Sequence, residues 1–334
     1  MSKRLADILK FVVFLGIGVF FIYWFLLKLD AAERDAIWQS FLSARWGWVW
    51  MTMLVSLLAH FIRALRWRLL FKPLNYAPSV GNTFGAVMVT YLANLAFPRL
   101  GEIMRCAMLR TSEKIPMEKS LGTVVTERLF DTLMFVIIVL LGFLLMFSSV
   151  KDFIYDSLSQ KFDTLPSLPI IAAVLAAMVL LLLAAYKLFH QKLLKFAFYK
   201  KIADMVTGCV DGIKSILHLG FRSTVLFLVY SLAIYFLYIA GGWVILQAFA
   251  ETSSLGFQTA FVIYLFGSVG MMISQGGLGA YPVLVWQALA IYGIGEVTGL
   301  ACGWLLWSSQ QAIVLVLGIA FLVYFSLLKK KNNE

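Results

Sequence analysis

Arg99, Glu102 and Arg105 stand within seven residues of one another, directly after a stretch, 79–98, that carries no charge. Guanidinium groups bind phosphate through paired N–H donors. A carboxylate three positions from each arginine lies one helical turn away, where it balances one cation and holds it in register. A charge at a bilayer centre costs about 2.5–3.5 kcal/mol on insertion scales. The cluster has therefore either reached water or sits in a polar cavity. A second concentration of unusual residues is SQGGLGAYP, with Ser274, Gln275, Gly276, Gly277 and Gly279 inside apolar sequence. Glycines there would let backbone N–H groups approach a phosphate, or would serve close helix packing alone.

Two further groups carry charge. In TERLFD, Arg128 and Asp131 repeat the three-residue spacing beside Glu127 at the expected entrance to a helix; pairing that eases burial at a helix end is the plainer reading. In RALRWRLL, Arg63, Arg66 and Arg68 read first as anchors that snorkel to headgroups, with substrate contact as the alternative. Acid–base chemistry could use Glu102, Glu127 or Asp131, yet no nucleophile–base pair accompanies them, and Ser274 has no motif-linked histidine. Cys106, Cys209 and Cys302 lack metal or CxxC spacing, and His60, His190 and His218 lie far apart. No GxxxxGK[ST] pattern occurs. The residues thus assign no catalytic group, metal or cofactor, and an enzyme is not expected.

These groups are embedded in a chain that is 62% hydrophobic and 13% charged, with a mean hydropathy of +0.89. No water-soluble domain has that balance. Uncharged runs of 17 residues or more occur at 11–27, 46–62, 79–98, 132–150, 164–186, 223–250, 252–295 and 297–328. A span needs about 20 mainly apolar residues, so the fold class is an all-α polytopic membrane protein. The net charge of +11 does not point to nucleic acid: the cations fall where cytoplasmic loops are expected, which membrane orientation explains.

The cations also fix the topology. With the N-terminus inside, helix 1 (8–28) runs outward to KLDAAERDAIWQSFLSAR, where Ile37, Trp38, Phe41 and Leu42 give a weak amphipathic face, and helix 2 (47–70) returns. If 79–98 crossed, the loop 99–128 with its six Lys and Arg would lie outside, against the orientation rule. Pro98 and Gly101 instead supply the break for a segment that enters and turns back. Helices 3 (128–149) and 4 (167–190) follow, then a cytoplasmic amphipathic helix at 192–220 and helix 5 (222–249). The run 252–295 is too long for one span and breaks at SQGGLGAYP into pieces at 257–273 and 281–293, before helix 6 (297–326). The expectation is a single domain, 1–334, of about six transmembrane helices with two re-entrant hairpins (79–112 and 256–294) entering from opposite sides. Both termini are cytoplasmic, and 23 of the 28 Lys and Arg lie inside.

RALRWRLL, NLAFPRLGEIMRCAMLR, TERLFD and GSVGMMISQGGLGAYP, in this order, resemble the flippase-like transmembrane family. That family includes the membrane region of lysylphosphatidylglycerol synthases, the multiple peptide resistance factors. The resemblance implies an inner-membrane protein that moves lipids or lipid-linked sugars between leaflets. By motif match its functional positions fall on Arg66, Asn94, Pro98, Arg99, Gly101, Glu102, Arg105, Arg128, Asp131 and the Gly276–Gly279 turn; the expected substrate contacts are Arg66, Asn94, Arg99, Glu102, Arg105, Arg128, Asp131, Ser274, Gln275, Gly276, Gly277 and Gly279. The synthases add a soluble transferase domain, whereas this chain ends at KKKNNE, so aminoacyl transfer is not expected. Expected partners are an anionic phospholipid or lipid-linked sugar, with a lipid-modifying enzyme and a homodimer left open. Single cysteines placed at positions 99 and 110 should both react with an impermeant thiol reagent from the cytoplasmic side; labelling from opposite sides would remove the first hairpin.

Overall fold

The computed structural model describes residues 31–97, 99–145 and 219–333. The expected helices at 8–28, 167–190 and 192–220 lie outside the described residues. The chain forms two compact units, Met1–Val125 with Ile216–Glu334, and Thr126–Ser215. Among the described residues there are nine α-helices, two 3-10 turns and no strand. In chain order they are α1 (Ala31–Ser43), α2 (Trp46–Leu69), α3 (Val80–Ala96), α4 (Leu100–Glu113), α5 (Met117–Leu145), α6 (Phe221–Leu246), α7 (Phe257–Ile273), α8 (Ala280–Ala290) and α9 (Glu296–Asn333). The 3-10 turns, Lys72–Leu74 and Gln275–Gly277, follow α2 and α7.

Three described segments are long and apolar enough to cross a membrane: Trp46–Leu74, Phe221–Leu246 and Glu296–Leu328. Their outer surfaces are apolar as well. Leu54, Leu58 and Phe61 on α2, Leu228, Leu232 and Phe236 on α6, and Val316, Ile319 and Val323 on α9 recur every three or four residues and are exposed. Such faces suit hydrocarbon rather than water.

The other apolar helices are short and come in pairs. The 17-residue α3 packs on the 14-residue α4, and the 17-residue α7 on the 11-residue α8. At 1.5 Å per residue they reach roughly 17–26 Å, below the ~30 Å of a bilayer core. Each pair is a helical hairpin with a broken tip. The first is held by α9 and α2: Met88 forms a buried cluster with Ile313 and Val314, flanked by Met53, Leu57, Leu92 and Phe321. The second packs on α9 so closely that a methyl group at Gly303 would meet the backbone of Pro282 at 2.8 Å. Ile37 of α1 packs against the buried pair Val283 and Leu300, while Trp38 and Leu42 stay exposed.

Two boundaries differ from the sequence reading. Helix α5 starts at Met117 rather than at 128, so TERLFD lies inside a helix instead of at its entrance. Met117, Glu118 and Lys119 are good helix formers, and the weaker formers that follow are held by burial of Ser120, Thr123 and Val124. Helix α9 extends past 326 to Asn333, because a lysine run favours the negative end of a helix. Gly303→Leu should destabilise the protein by about 1–3 kcal/mol through overpacking against backbone that cannot yield. Gly47→Ala, where nothing lies within 4 Å, should be neutral or slightly stabilising. Thermal unfolding in detergent, followed by size exclusion, checks the order.

Candidate functional site

The first break is made by three residues in sequence. Pro98 has no N–H to continue the helix. Arg99 takes a left-handed backbone, φ 67 and ψ 0, a conformation that costs a non-glycine residue about 1–2 kcal/mol. Gly101 then lies so close to α3 that a Cβ would overlap the carbonyl oxygen of Thr90. Its N–H donates to Asn94 Oδ1 at 2.8 Å. Asn94, expected to contact substrate, therefore caps the start of α4 with its side chain. Arg99 is exposed and Glu102 half-buried.

The second break is a braced turn. Gly276, Gly277 and Gly279 all have positive φ, 61, 77 and 73, which residues with a Cβ rarely adopt. Ser274 Oγ donates to the carbonyl of Leu278 at 2.9 Å, and the N–H of Gly277 donates to that of Ser274 at 3.1 Å. The Gly277 N–H, a candidate phosphate donor, is thus engaged within the turn. Trp307 Nε1 of α9 donates to Gly276 O at 2.8 Å. Gln275, only 8% exposed, reaches the other hairpin: its Nε2 donates to Asn94 O at 2.6 Å and to Leu95 O at 3.2 Å. The two broken tips are therefore in direct contact.

The arginines divide differently from the sequence reading. Arg66 is 0% and Arg63 6% exposed, so neither snorkels to a headgroup. Helix α6 supplies what water would have. Arg66 Nη1 donates to Ser231 Oγ at 3.2 Å and its guanidinium stands 5.3 Å from the Phe227 ring centroid. Arg63 Nη2 donates to Tyr238 Oη at 3.3 Å. Arg68, by contrast, donates to Pro78 O near the end of α2. Arg105 is 1% exposed and lies 4.5 Å over the ring of Trp67, whose Nε1 donates to Thr123 Oγ1 at 2.9 Å. Aromatic faces attract desolvated cations by about 2 kcal/mol or more. In the second unit, Glu127 is buried, and Arg128 and Asp131 are half-buried.

A carboxylate fastens the open end of the first hairpin. Glu113 Oε1 accepts from Ser79 N (3.0 Å), Ser79 Oγ (2.7 Å) and Asn82 Nδ2 (2.6 Å). Partial burial raises its pKa, but these hydrogen bonds and the charge of Arg68 outweigh burial and leave it below the ordinary carboxylate value. Sequence reasoning passed over Glu113, and also the polar run Ser308, Ser309, Gln310 and Gln311 in the middle of α9. The signal was available. Four polar residues interrupt a long apolar helix just after Trp307, whose Nε1 donates to the second break.

Long apolar helices around paired, interrupted ones define a helical membrane protein whose buried polar groups gather at helix breaks. The chain belongs to the family described as the lysylphosphatidylglycerol synthase transmembrane region, which matches residues 8–328. It is 30% identical over 73 residues to glycosyltransferase AglD of Haloferax volcanii, across 22% of this chain and 12% of that one. It is 29% identical over 104 residues to the UPF0104 membrane protein MJ1595 of Methanocaldococcus jannaschii, across 30% of this chain and 31% of that one. The matched stretches thus span less than a third of either relative. No solved structure matches the chain.

Because the folded pKa of Glu113 is depressed, its stabilisation is complete above the unfolded carboxylate value and is lost as pH falls through the folded one. Glu113→Gln should lower stability at neutral pH by on the order of 1 kcal/mol, allowing for solvent screening. The gap from wild type should close on acidification. Melting curves at neutral and acidic pH measure both.

Proposed function

We propose that the protein moves an amphiphile with an anionic headgroup, a phospholipid or a lipid-linked glycan, between membrane leaflets, without covalent chemistry of its own. The observation that carries this reading is the tip-to-tip meeting of two helix breaks among long apolar helices, with Gln275 bridging to Asn94 and Leu95. Opposed, interrupted helices near the midplane are how many transporters build a substrate site. The shortness of α3, α4, α7 and α8 supports hairpins that enter and turn back, the first from the cytoplasmic face and the second from the opposite one. The excess of Lys and Arg in the loops assigned inside supports cytoplasmic termini in an inner membrane.

The guanidinium groups of Arg66 and Arg105, buried among the helices, are donors of the kind that bind phosphate. Arg99, exposed beside the first break, would meet a headgroup first, and Glu102 would hold that arginine in register one turn away. Acyl chains would remain in lipid while the headgroup crosses. The family description favours one other reading, a non-transporting partner that delivers lipid to a separate synthase. A deletion strain separates the two: a changed leaflet distribution with an unchanged lipid inventory supports transport, and a missing lipid species supports the partner.

Reconstitution into liposomes with fluorescent phospholipids tests transport directly. Movement should exceed that of protein-free vesicles. Arg99→Ala and Arg105→Ala should each slow it by about tenfold, the loss of one charge-assisted hydrogen bond, while both variants insert and remain monodisperse. Rates no faster than protein-free vesicles, across several anionic phospholipids and lipid-linked sugars, would count against the reading.

A further inference from the structure

A helical carbonyl normally accepts from the N–H four residues on. For Asn94 that residue is Pro98, which has none. For Leu95 it is Arg99, where the left-handed backbone ends the ladder. The break therefore exposes two adjacent carbonyls at the negative end of the α3 dipole. In an apolar interior such groups must find donors. They find one side chain: Gln275 Nε2, at 2.6 and 3.2 Å. A primary amide facing two carbonyls presents its nitrogen, which has two hydrogens, one for each acceptor.

Gln275 comes from the opposite hairpin, about 180 positions along the chain. The turn that presents it is braced from within by Ser274 and Gly277, so Gln275 moves with the turn. Leu95 lies against Gly276 at the same contact. Nothing else joins Gln275 to α3 by hydrogen bonding among the described residues. Parting the hairpins would strip the donor from both carbonyls at once, unless another donor replaces it.

We propose that Gln275 is a removable plug in a donor-binding subsite formed by the Asn94 and Leu95 carbonyls, and that an N–H or O–H of a lipid headgroup takes its place when the hairpins part. The dipole end favours a protonated amine. A quaternary ammonium has no N–H and cannot replace the plug. This rests on the reading of the hairpins as a lipid path and narrows its substrate: phosphate goes to the arginines, and a donor on the same headgroup goes to the carbonyls.

The test compares headgroups that share phosphate and a cationic nitrogen but differ in whether that nitrogen carries N–H or methyl groups. A cysteine at position 95 (Leu95→Cys), with Cys106, Cys209 and Cys302 replaced by alanine, reports opening of the contact through its rate of modification by a small neutral thiol reagent. Replacing half of the phosphatidylcholine in proteoliposomes by phosphatidylethanolamine should raise that rate at least about fivefold, the effect of exchanging roughly one hydrogen bond. Gln275→Leu should react fast in both lipids. Equal rates in both lipids with Gln275 present, or lipid dependence that persists in Gln275→Leu, would overturn the proposal. The wild-type comparison decides alone should that variant fail to fold. Lipid movement measured in the same vesicles reports separately on transport: its absence sinks the path reading, whereas movement with lipid-independent labelling sinks only the plug.

Discussion

The structure depends on one constraint: a helix broken inside an apolar surrounding must have its loose backbone groups satisfied by protein. At the first break the loose groups are the N–H of Gly101, held by Asn94 Oδ1, and the carbonyls of Asn94 and Leu95, held by Gln275. At the second, the loose carbonyl of Gly276 is held by Trp307. Each solution recruits a different helix. The breaks therefore tie α3, α4, the Gln275 turn and α9 into one assembly rather than weakening it.

The positive side chains obey the same logic. Arg66 stands against the Phe227 ring and the Ser231 hydroxyl, and Arg105 against the Trp67 ring, where aromatic faces favour a desolvated cation. Trp67 is central, carrying Arg105 on its face and Thr123 on its indole nitrogen, with Arg66 as its chain neighbour.

The breaks themselves were legible in the sequence, because proline and glycine act locally: PRLG and SQGG announce interruptions, and the hairpin helix α7 begins and ends where its apolar run does. Long α2 and α6 were likewise visible as uncharged runs. What stayed hidden was non-local. No spacing rule links Gln275 to Asn94, so the contact between tips arises only in the folded chain. Arg66 looked like an anchor because it stands with Arg63 and Arg68 at the expected cytoplasmic end of its helix, and the residues it meets, Phe227 and Ser231, lie far along the chain. The start of α5 was misplaced because Ser120, Thr123 and Glu127 read as loop, although tertiary burial accommodates them within a helix. The run from Ser308 to Gln311 was overlooked because it lacks charge.

The two hairpins also differ electrically. The first carries Arg99, Glu102, Arg105, Arg110 and Glu113 between Val80 and its end, whereas residues 257–290 contain no ionised side chain at all. An elementary charge carried across 100 mV corresponds to about 2.3 kcal/mol. A voltage across a bilayer would therefore find ionised side chains to act on in the first hairpin and none in the second.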